Sequence, residues 1–329
     1  MTMDRIPVLI DSSYGKSICR QLIERCDQDE EAKWLLDWRV VSAEEITPEI
    51  LEPIEIMLAG WFRGEWVQHA RNLKWIQFMG AGIEGSLTPE LCASDIILTN
   101  ASGVHETPIS EHVIGVMLMF ARGLHKCVLR QARHAWERTD LNISELRSAT
   151  LGIVGLGAIG EGVARRAKAL GMRVIATRRH PELGSENVDL MLPHDQLHAL
   201  LAESDYIVLS VPLTPDTKCM IGESELRVMK PNSVLVNIAR GDLIDQDALI
   251  RALQEGRIAG AGLDVTTPEP LPADSPLWDM PNVIVTPHVS GLSPLYGLRT
   301  AEIFLPNLHA YLRGDFGSMI NLVDRKLGY

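Results

Sequence analysis

Short apolar runs alternate with amphipathic segments over the first hundred residues, which is the pattern of a parallel α/β sheet with helices between its strands. Four runs predict strands, and two of the segments between them predict helices. The predicted strands are residues 6–10, 54–58, 73–78 and 96–98, and the predicted helices are residues 17–26 and 65–70. Five of the seven tryptophans lie in this part of the chain, and we expect most of them to pack in the core or at an interface.

A long amphipathic stretch follows and predicts one helix from Pro108 to about Trp136. Its apolar residues, starting at Val113, recur after four, seven, eight and eleven positions, which places them on one helix face. A helix of this length in a two-domain protein often crosses between domains or forms a contact between subunits. We therefore expect a homodimer.

The alternation of strands and helices restarts at Thr150 and is clearer there. Six strands are predicted at residues 151–154, 173–177, 206–211, 233–238, 258–265 and 283–286, with helices at 159–170 and 247–254. A last helix is predicted at residues 298–313, after a stretch rich in Gly, Ser and Pro. The whole pattern predicts an α/β fold with two Rossmann-like or flavodoxin-like domains, each a doubly wound parallel sheet.

Length and charge narrow the classes of partner. The chain has 329 residues, enough for about two domains, and its 43 acidic and 31 basic side chains give a formal net charge of −12. An acidic balance argues against a surface that tracks nucleic acid or an anionic membrane. It does not exclude a small positive pocket, so anionic small molecules stay open as ligands.

The sequence shows no signal for secretion, membrane insertion or metal binding. The N-terminus does not resemble a signal peptide, and the longest apolar stretch, residues 113–121, is about half the length of a bilayer span. The five cysteines are scattered and form no C-x-x-C pair, which indicates reduced thiols and a cytoplasmic protein. No cluster of His, Cys and Asp has metal-ligand spacing, so no metal is expected.

A glycine motif follows the first strand of the second half. The segment from Gly155 to Gly160 is G-x-G-x-x-G and opens the helix at residues 159–170. The first glycine permits a tight turn, the second lets the backbone approach a pyrophosphate, and the third lets the helix pack on the strand. The helix N-terminus offers N–H groups and a partial positive charge to the phosphates. The expected dinucleotide contacts are Gly155, Leu156, Gly157, Ala158, Ile159 and Gly160.

The end of the second strand departs from the usual NAD site. An acidic residue about 20 positions after the glycines would bind the ribose 2′-hydroxyl, but Arg178 and Arg179 stand there and no carboxylate occurs before Glu182. Arginine pairs well with a phosphate, whereas an acidic side chain would repel it. The sequence therefore favours NADP(H), with NAD(H) as a second possibility. The alternative is that both arginines are a solvated strand end.

Three polar segments, residues 236–241, 262–270 and 286–291, lie at the carboxyl ends of predicted strands, where ligands bind in open α/β sheets. Together with the glycine motif and residues 211–217 and 276–278, they resemble the D-isomer-specific 2-hydroxyacid dehydrogenases. The resemblance covers nearly the whole chain and is best between residues 151 and 291. It implies an NAD(P)-dependent oxidoreductase that reduces a 2-oxo acid to a D-2-hydroxy acid by hydride transfer, in a cleft between two domains.

The resemblance implies roles for three residues. Arg240 matches the arginine that holds the substrate carboxylate, and its planar, permanently charged fork suits an anion. His288 matches the acid/base that protonates the carbonyl oxygen, a task for which an imidazole is suited. Glu269 matches the carboxylate that orients this histidine and stabilises its charged form.

Further cofactor contacts are implied at successive strand ends. Asp264 matches a residue that meets the nicotinamide carboxamide, and the alternative for it is loop capping. Arg178 and Arg179 are most similar to the NADP-dependent glyoxylate and hydroxypyruvate reductases of the family. The remaining implied contacts are Val211, Pro212, Thr217, Asn237, Ile238, Ala239, His288 and Ser290.

The first domain is implied to bind the substrate. Ala81 and Gly82 match a glycine loop whose N–H groups cup the carboxylate. The segment at 105–112 departs from the family pattern at Pro108, where the long helix is expected to start. Trp61, Phe62 and Tyr296 either line the substrate pocket or pack in the core.

The resemblance implies a discontinuous substrate-binding domain, residues 1–101 with 291–329, and a dinucleotide-binding domain at residues 102–290. The alternative function is an NAD(P)H-sensing binding protein, similar to the transcriptional corepressors that share this fold and retain an Arg-Glu-His set. We expect a small 2-oxo or 2-hydroxy acid as the partner of the enzyme, and neither nucleic acid nor membrane.

Overall fold

The computed structural model describes residues 5–325 and divides the chain into two compact units. Unit 1 comprises Met1–Val104 with Ser293–Tyr329, and unit 2 comprises His105–Leu292. The unit boundaries at residues 104 and 292 lie three and two positions after the expected domain boundaries at 101 and 290. Each unit is built on its own parallel sheet.

The sheet of unit 1 has five strands in the order β2-β1-β3-β4-β5, and every neighbouring pair is parallel. This is the flavodoxin-like order of a doubly wound sheet. Side chains alternate between two cores, because Val8 and Ile10 pack on one face of the sheet while Leu9 packs on the other. The strands are β1 Ile6–Asp11, β2 Leu36–Val41, β3 Ile56–Ala59, β4 Trp75–Phe78 and β5 Ile97–Thr99.

Short helices connect these strands. They are α1 Lys16–Cys26, α2 Ala32–Leu35, α3 Pro48–Leu51 and α4 Pro89–Cys92. The helix expected at residues 65–70 is wrong, since only a single 3₁₀ turn forms at Gly64–Trp66. The expectation for the tryptophans is met in part. Trp66 and Trp75 are buried, Trp38 packs on Phe304, and Trp34 and Trp61 are exposed.

The sheet of unit 2 has seven strands in the order β12-β11-β10-β9-β6-β7-β8, again all parallel. In order along the chain this is 3-2-1-4-5-6 with a seventh strand added at the far edge, which is the arrangement of a dinucleotide-binding domain. The expected α/β fold is confirmed. The strands are β6 Thr150–Val154, β7 Arg173–Arg178, β8 Leu190–Pro193, β9 Tyr206–Leu209, β10 Val234–Asn237, β11 Gly260–Leu263 and β12 Val283–Val285.

Helices cover both faces of this sheet, and two cores lie between them and the strands. Ile153 belongs to one of these cores and Val154 to the other, in keeping with the alternation along a strand. The helices are α5 Glu106–Ala121, α6 Leu124–Ala132, α7 Ala158–Ala169, α8 Leu197–Glu203, α9 Glu223–Val228 and α10 Gln246–Gln254.

The long helix expected from Pro108 to Trp136 is wrong, because the chain forms two helices, α5 and α6, with a bend of 73° between them. Gly123 separates them with a φ of 63°, in the left-handed region that glycine adopts without steric cost. In the part of the chain that the structure describes, no single helix is long and apolar enough to cross a membrane, and the bent pair passes only by combined length and composition.

A last helix, α11 Tyr296–Leu312, returns to unit 1 and packs against α1. Gly297 makes this packing possible, because a Cβ there would overlap the carbonyl oxygen of Ile18. Phe304 of α11 stacks on Trp75 of β4 with ring centroids 5.1 Å apart. The C-terminal segment thus completes the core of unit 1. Unit 1 is discontinuous in sequence because the chain returns to it after unit 2.

Candidate active site

The glycine motif forms the turn between β6 and α7 in unit 2. Gly155 has a φ of +93°, and a Cβ there would lie 2.5 Å from Val211 Cγ1 and 2.9 Å from the Ser210 carbonyl oxygen. A Cβ on Gly160 would lie 2.7 Å from the Gly155 carbonyl oxygen, so this glycine lets the helix pack on the turn. Gly157 is exposed, caps α7 and has open space around it. The turn therefore fits a dinucleotide pyrophosphate at the helix N-terminus.

Not every backbone N–H group of this turn is available to bind a pyrophosphate. The Leu156 amide donates to the Thr177 carbonyl oxygen at 3.0 Å, and its side chain is buried in the core. Ala158 is exposed and Ile159 is half-buried in the first turn of α7. The groups that face solvent are thus those of Gly157, Ala158 and Ile159.

The end of β7 carries the two arginines. Arg178 is the last residue of the strand and is half-buried, and its Nη1 donates to the Gly184 carbonyl oxygen at 3.4 Å. Arg179 follows and is exposed. The nearest following carboxylate in sequence, Glu182, pairs with His180 at 3.1 Å. The strand end therefore presents cationic side chains where a cofactor with a 2′-hydroxyl would need an acid.

The loop after β9 is held by its own side chains. Thr217 Oγ1 donates to the Pro212 carbonyl oxygen at 2.8 Å and accepts from the Thr214 amide at 2.8 Å. Val211 lies against Gly155 of the glycine turn. Val211 and Pro212 therefore lie beside the expected pyrophosphate site, while the Thr217 hydroxyl maintains the loop.

Arg240 lies in the turn that follows β10. Asn237 is buried and holds this turn, because its Nδ2 donates to the Arg240 carbonyl oxygen at 2.8 Å and its Oδ1 accepts from the Ala239 amide at 3.0 Å. The Ile238 side chain is buried in the core. Arg240 is half-buried, and its Nη1 donates to the Ala239 carbonyl oxygen at 2.8 Å. The guanidinium is thus fixed close to its own turn.

Glu269 and His288 form a direct pair. His288 Nδ1 and Glu269 Oε2 are 2.9 Å apart, and Glu269 Oε1 accepts from the Thr266 amide at 3.1 Å. His288 has a φ of 53°, an uncommon backbone conformation outside glycine. A cavity of about 190 Å³ is lined by this pair together with Arg240 and residues 266–268. Unit 2 therefore brings the three expected catalytic side chains to one cavity.

Asp264 organises the loop that carries His288. Its carboxylate accepts from the Val289 and Ser290 amides at 3.0 Å each and from Thr286 Oγ1 at 2.6 Å. Burial opposes ionisation of this side chain, but the hydrogen bonds from Ser290, Thr286 and Val289 outweigh it and hold the pKa of Asp264 below its ordinary value. The structure thus shows the loop-capping interactions that were the alternative for Asp264.

In unit 1, residues 79–82 follow β4 at the carboxyl edge of its sheet. The Gly80 carbonyl oxygen accepts from the Ala101 amide at 3.0 Å, and the Ala81 carbonyl oxygen accepts from Asn100 Nδ2 at 3.2 Å. Among the described groups of the chain, the amides of Ala81 and Gly82 have no acceptor. The loop therefore has its carbonyls engaged and two adjacent amide donors available for an anion.

Comparison with known proteins identifies the family of the chain. The model of the "D-isomer specific 2-hydroxyacid dehydrogenase, NAD binding domain" family matches residues 114–290. A glyoxylate reductase of Korarchaeum cryptofilum is 35% identical over 311 residues, which cover 92% of this chain and 89% of that protein. The chain belongs to the D-isomer specific 2-hydroxyacid dehydrogenase family.

Another relative is considerably longer than this chain. D-3-phosphoglycerate dehydrogenase of Methanocaldococcus jannaschii is 36% identical over 267 residues, which are 80% of this chain and 51% of that protein. The chain thus spans about half the length of that relative. A solved family structure from Xanthobacter autotrophicus Py2, in complex with NADPH and MES, is 26% identical, covers 99% of this chain and 100% of its own, and superimposes with a TM-score of 0.84.

Family membership makes the protein an oxidoreductase of the class that acts on CH–OH donors with a nicotinamide cofactor. The three aromatic residues that either line the substrate pocket or pack in the core differ in their burial. Phe62 is fully buried and packs edge-on to Trp66 with centroids 5.4 Å apart, so it is a core residue. Tyr296 is also buried and donates from its hydroxyl to the Met79 carbonyl oxygen at 2.6 Å. Trp61 is 46% exposed, and its Nε1 donates to the Gly85 carbonyl oxygen at 3.0 Å.

The segment that departs from the family pattern still forms a helix start. α5 begins at Glu106, so Pro108 lies in its first turn, where the missing amide costs no helical hydrogen bond. Glu106 accepts from Arg165 at 2.8 Å and from Arg166 at 2.9 Å, both on the dinucleotide helix α7. Burial opposes its ionisation, but the Thr107 hydroxyl and Arg166 outweigh this and lower the pKa of Glu106. The departure therefore leaves α5 anchored to α7.

Sequence reasoning missed two residues that support the site. Gln246, the first residue of α10, binds the backbone of Thr267 in the Glu269 loop, and Thr286 binds Asp264. Gln246 directly precedes the helix predicted at residues 247–254 and Thr286 ends the strand predicted at residues 283–286, but their partners lie about 20 positions away in sequence. Within residues 5–325 no group of three His, Cys, Asp or Glu side chains is arranged to hold a metal ion.

Proposed function

We propose that the protein reduces a small 2-oxo acid to a D-2-hydroxy acid with NADPH. The observation that carries this proposal is the 2.9 Å contact between His288 Nδ1 and Glu269 in a cavity that Arg240 also lines. A cation, an imidazole and its carboxylate partner at one cavity suit the binding of a carboxylate beside a carbonyl that must gain a proton.

We assign one atom to each task. Because Glu269 engages Nδ1 of His288, Nε2 is the ring atom left to face the reactant. His288 Nε2 gives its proton to the carbonyl oxygen and takes it back in the reverse reaction, while Arg240 holds the carboxylate. NADPH, when bound, supplies the hydride that is added to C2. The added hydride and proton balance the reduction of the carbonyl to an alcohol.

The cofactor would be held by the glycine turn and the end of β7. The open space at Gly157 and the solvent-facing start of α7 fit the pyrophosphate, and Arg178 and Arg179 provide positive charge for a 2′-phosphate. NADPH in the Xanthobacter relative supports this preference. Changing Arg178 to Asp should shift the ratio of NADP to NAD utilisation toward NAD, and an unchanged ratio would contradict the assignment.

Unit 1 is proposed to bind substrate and unit 2 the dinucleotide. In unit 1 the available amides of Ala81 and Gly82 provide donors for a carboxylate. Relatives named glyoxylate reductase and glyoxylate/hydroxypyruvate reductase B support a short 2-oxo acid such as glyoxylate or hydroxypyruvate, with reduction as the direction. Pro212, Ala239 and Ser290 belong to the loops at the carboxyl edge of the unit 2 sheet and are proposed as further cofactor contacts.

A substrate panel tests the proposed function. NADPH consumption is measured with glyoxylate, hydroxypyruvate, pyruvate and larger 2-oxo acids, and the chirality of the product is determined. We expect turnover with a short member of the panel and a D-configured product wherever C2 becomes a stereocentre. Tight NADPH binding without turnover across the whole panel would instead favour the NAD(P)H-sensing binding protein.

We also propose that the protein forms a homodimer through α6. The side chains of Leu124, Val128 and Leu129 on this helix are exposed, and Trp136 beyond it is 92% exposed. Exposed apolar side chains grouped on one helix support a contact with a second copy. Replacing Val128 by Asp should halve the mass in solution measured by light scattering, whereas Val40→Asp, an exposed valine of unit 1, should not.

A further inference from the structure

Gln246 makes a two-point contact with the loop that carries Glu269. Its Nε2 donates to the Thr267 carbonyl oxygen at 2.7 Å, and its Oε1 accepts from the Thr267 amide at 3.0 Å. Both polar groups of one peptide residue are therefore satisfied by one side chain. Thr267 lies two positions before Glu269 in the loop.

The backbone position of Gln246 is itself fixed. It is the first residue of α10, next to Asp245, whose carboxylate caps the helix by accepting from the Ala248 amide at 3.0 Å. The Asp245 amide in turn donates to the Ile221 carbonyl oxygen at 2.9 Å. The helix start is thus tied to the body of unit 2, and the loop is tied to the helix start.

The same loop supports the carboxylate of Glu269 from a second point. Glu269 Oε1 accepts from the Thr266 amide, and a Cβ on Gly241 would overlap the Thr266 carbonyl oxygen, so the Arg240 turn packs directly on this peptide. A shift of residues 266–267 would move Glu269 away from His288 Nδ1. The contact with Gln246 is the side-chain interaction that opposes such a shift at Thr267.

We propose that Gln246 is a positioning residue that keeps Glu269 in hydrogen-bond contact with His288. The inference rests on the proposed function for its catalytic consequence. At neutral pH the carboxamide of Gln246 offers a donor and an acceptor side by side, whereas Glu would place a carboxylate against the Thr267 carbonyl oxygen and Met would satisfy neither group.

The test compares Gln246→Met and Gln246→Glu with Gln254→Met, the same change at the exposed last residue of α10. With NADPH and the active 2-oxo acid, we expect kcat to fall about 10- to 100-fold in both Gln246 variants. KM and the Kd of NADPH should stay within about twofold, because neither ligand is bound by Gln246. Gln254→Met should match the wild type.

A double-mutant cycle separates positioning from general structural damage. If Gln246 acts through Glu269, Gln246→Met should lower kcat by less than about twofold when Glu269 is already Gln. A purely structural role would give the same fold loss in both backgrounds, and that result would overturn the inference.

Hydrogen exchange of the full-length protein with NADPH provides a readout that needs no turnover. The peptide covering residues 264–271 should exchange faster in Gln246→Met than in the wild type or in Gln254→Met. Unchanged exchange would overturn the inference even if the enzyme is active. An inactive wild type would contradict the proposed function alone, since faster exchange in the variant would still show that Gln246 holds the loop.

Discussion

The loops at the carboxyl edges of the two parallel sheets carry different kinds of functional group. In unit 2 the loops at this edge carry ionisable side chains, Arg240, Asp264, Glu269 and His288, and each carboxylate is supported by backbone amides. In unit 1 the corresponding loop offers the backbone amides of Ala81 and Gly82 and is held by neutral groups.

A pair of tyrosines supports the unit 1 loop in addition to the contacts from Asn100 and Ala101. Tyr296 donates to the Met79 carbonyl oxygen and stacks on Tyr14 with ring centroids 5.1 Å apart, and the Tyr14 hydroxyl lies over Gly80. Proton transfer needs groups that change charge, whereas holding an anion needs only fixed dipoles. The comparison therefore predicts that changes at the Glu269–His288 pair of unit 2 affect the chemical step, while changes at the unit 1 edge affect substrate affinity.

The largest effect should come from His288→Ala. Removing the group that exchanges the proton should lower kcat by about 10²–10⁴. The Kd of NADPH, measured by fluorescence titration, should stay close to that of the wild type, because the glycine turn and arginines are untouched. A large loss of NADPH affinity would indicate a structural role for His288 and would remove the distinction between the two edges.

Asp264→Asn should reduce stability by about 3 kcal/mol at neutral pH, because an amide cannot accept from Val289, Ser290 and Thr286 as the carboxylate does. The folded-state pKa of Asp264 is lowered, so its stabilisation is present above the unfolded pKa of about 3.9 and is lost as the pH falls through the folded value. Urea unfolding of both proteins should therefore converge in acid. A difference independent of pH would contradict the role of the charge.

Gly80→Ala tests the unit 1 edge. A Cβ at residue 80 would lie 2.8 Å from the Tyr14 hydroxyl oxygen, with the Gly82 carbonyl oxygen next at 3.7 Å. We expect KM for the 2-oxo acid to rise about tenfold, equivalent to about 1.4 kcal/mol, with kcat little changed.

Combining Gly80→Ala with Tyr14→Phe tests whether the effect comes from the contact with the Tyr14 hydroxyl. Tyr14→Phe removes the one atom within 3 Å of the new methyl group, so the double variant should recover most of the affinity. A fall in kcat instead of a rise in KM, or no recovery in the double variant, would mean that the loop does not act through substrate binding.

The two edges also differ in how far the sequence predicts them. The unit 2 site was predictable because its residues lie in short motifs at strand ends, such as the glycine turn and the segment with His288. The contacts that hold those motifs were not, since Asp264 meets residues 22 to 26 positions away and Gln246 meets Thr267 21 positions away. The unit 1 loop was indicated only by its glycines, because its donors are backbone groups.

The two strands that the sequence missed, β2 and β8, are edge strands of their sheets. In β2 the polar residues Asp37 and Arg39 interrupt the apolar run, whereas β8 is apolar but only four residues long and ends in Pro193. The helix ending at Ala121 was extended wrongly because Leu124 continues the apolar repeat across the break. The left-handed φ of Gly123, which ends the helix, is a property of one residue and not of the repeat.

The smallest effect should come from Tyr296→Phe, which leaves the buried Met79 carbonyl oxygen without its donor. We expect a loss of about 1 kcal/mol in unfolding free energy at neutral pH and a modest rise in KM. Burial raises the pKa of Tyr296, so the hydroxyl stabilises the fold below the unfolded pKa of about 10 and this contribution is lost as the pH rises above it. The stability difference from the variant should therefore shrink in alkali.

Tyr311→Phe is the matched control, because its hydroxyl is bonded to Glu55 at 2.7 Å and Glu55 precedes β3, at the opposite edge of the same sheet. It should cost a similar free energy of unfolding and leave KM unchanged. If both variants raised KM equally, the effect would reflect a general loosening of unit 1. A rise confined to Tyr296→Phe would place the affinity effect at the carboxyl edge, where the amides of Ala81 and Gly82 lie.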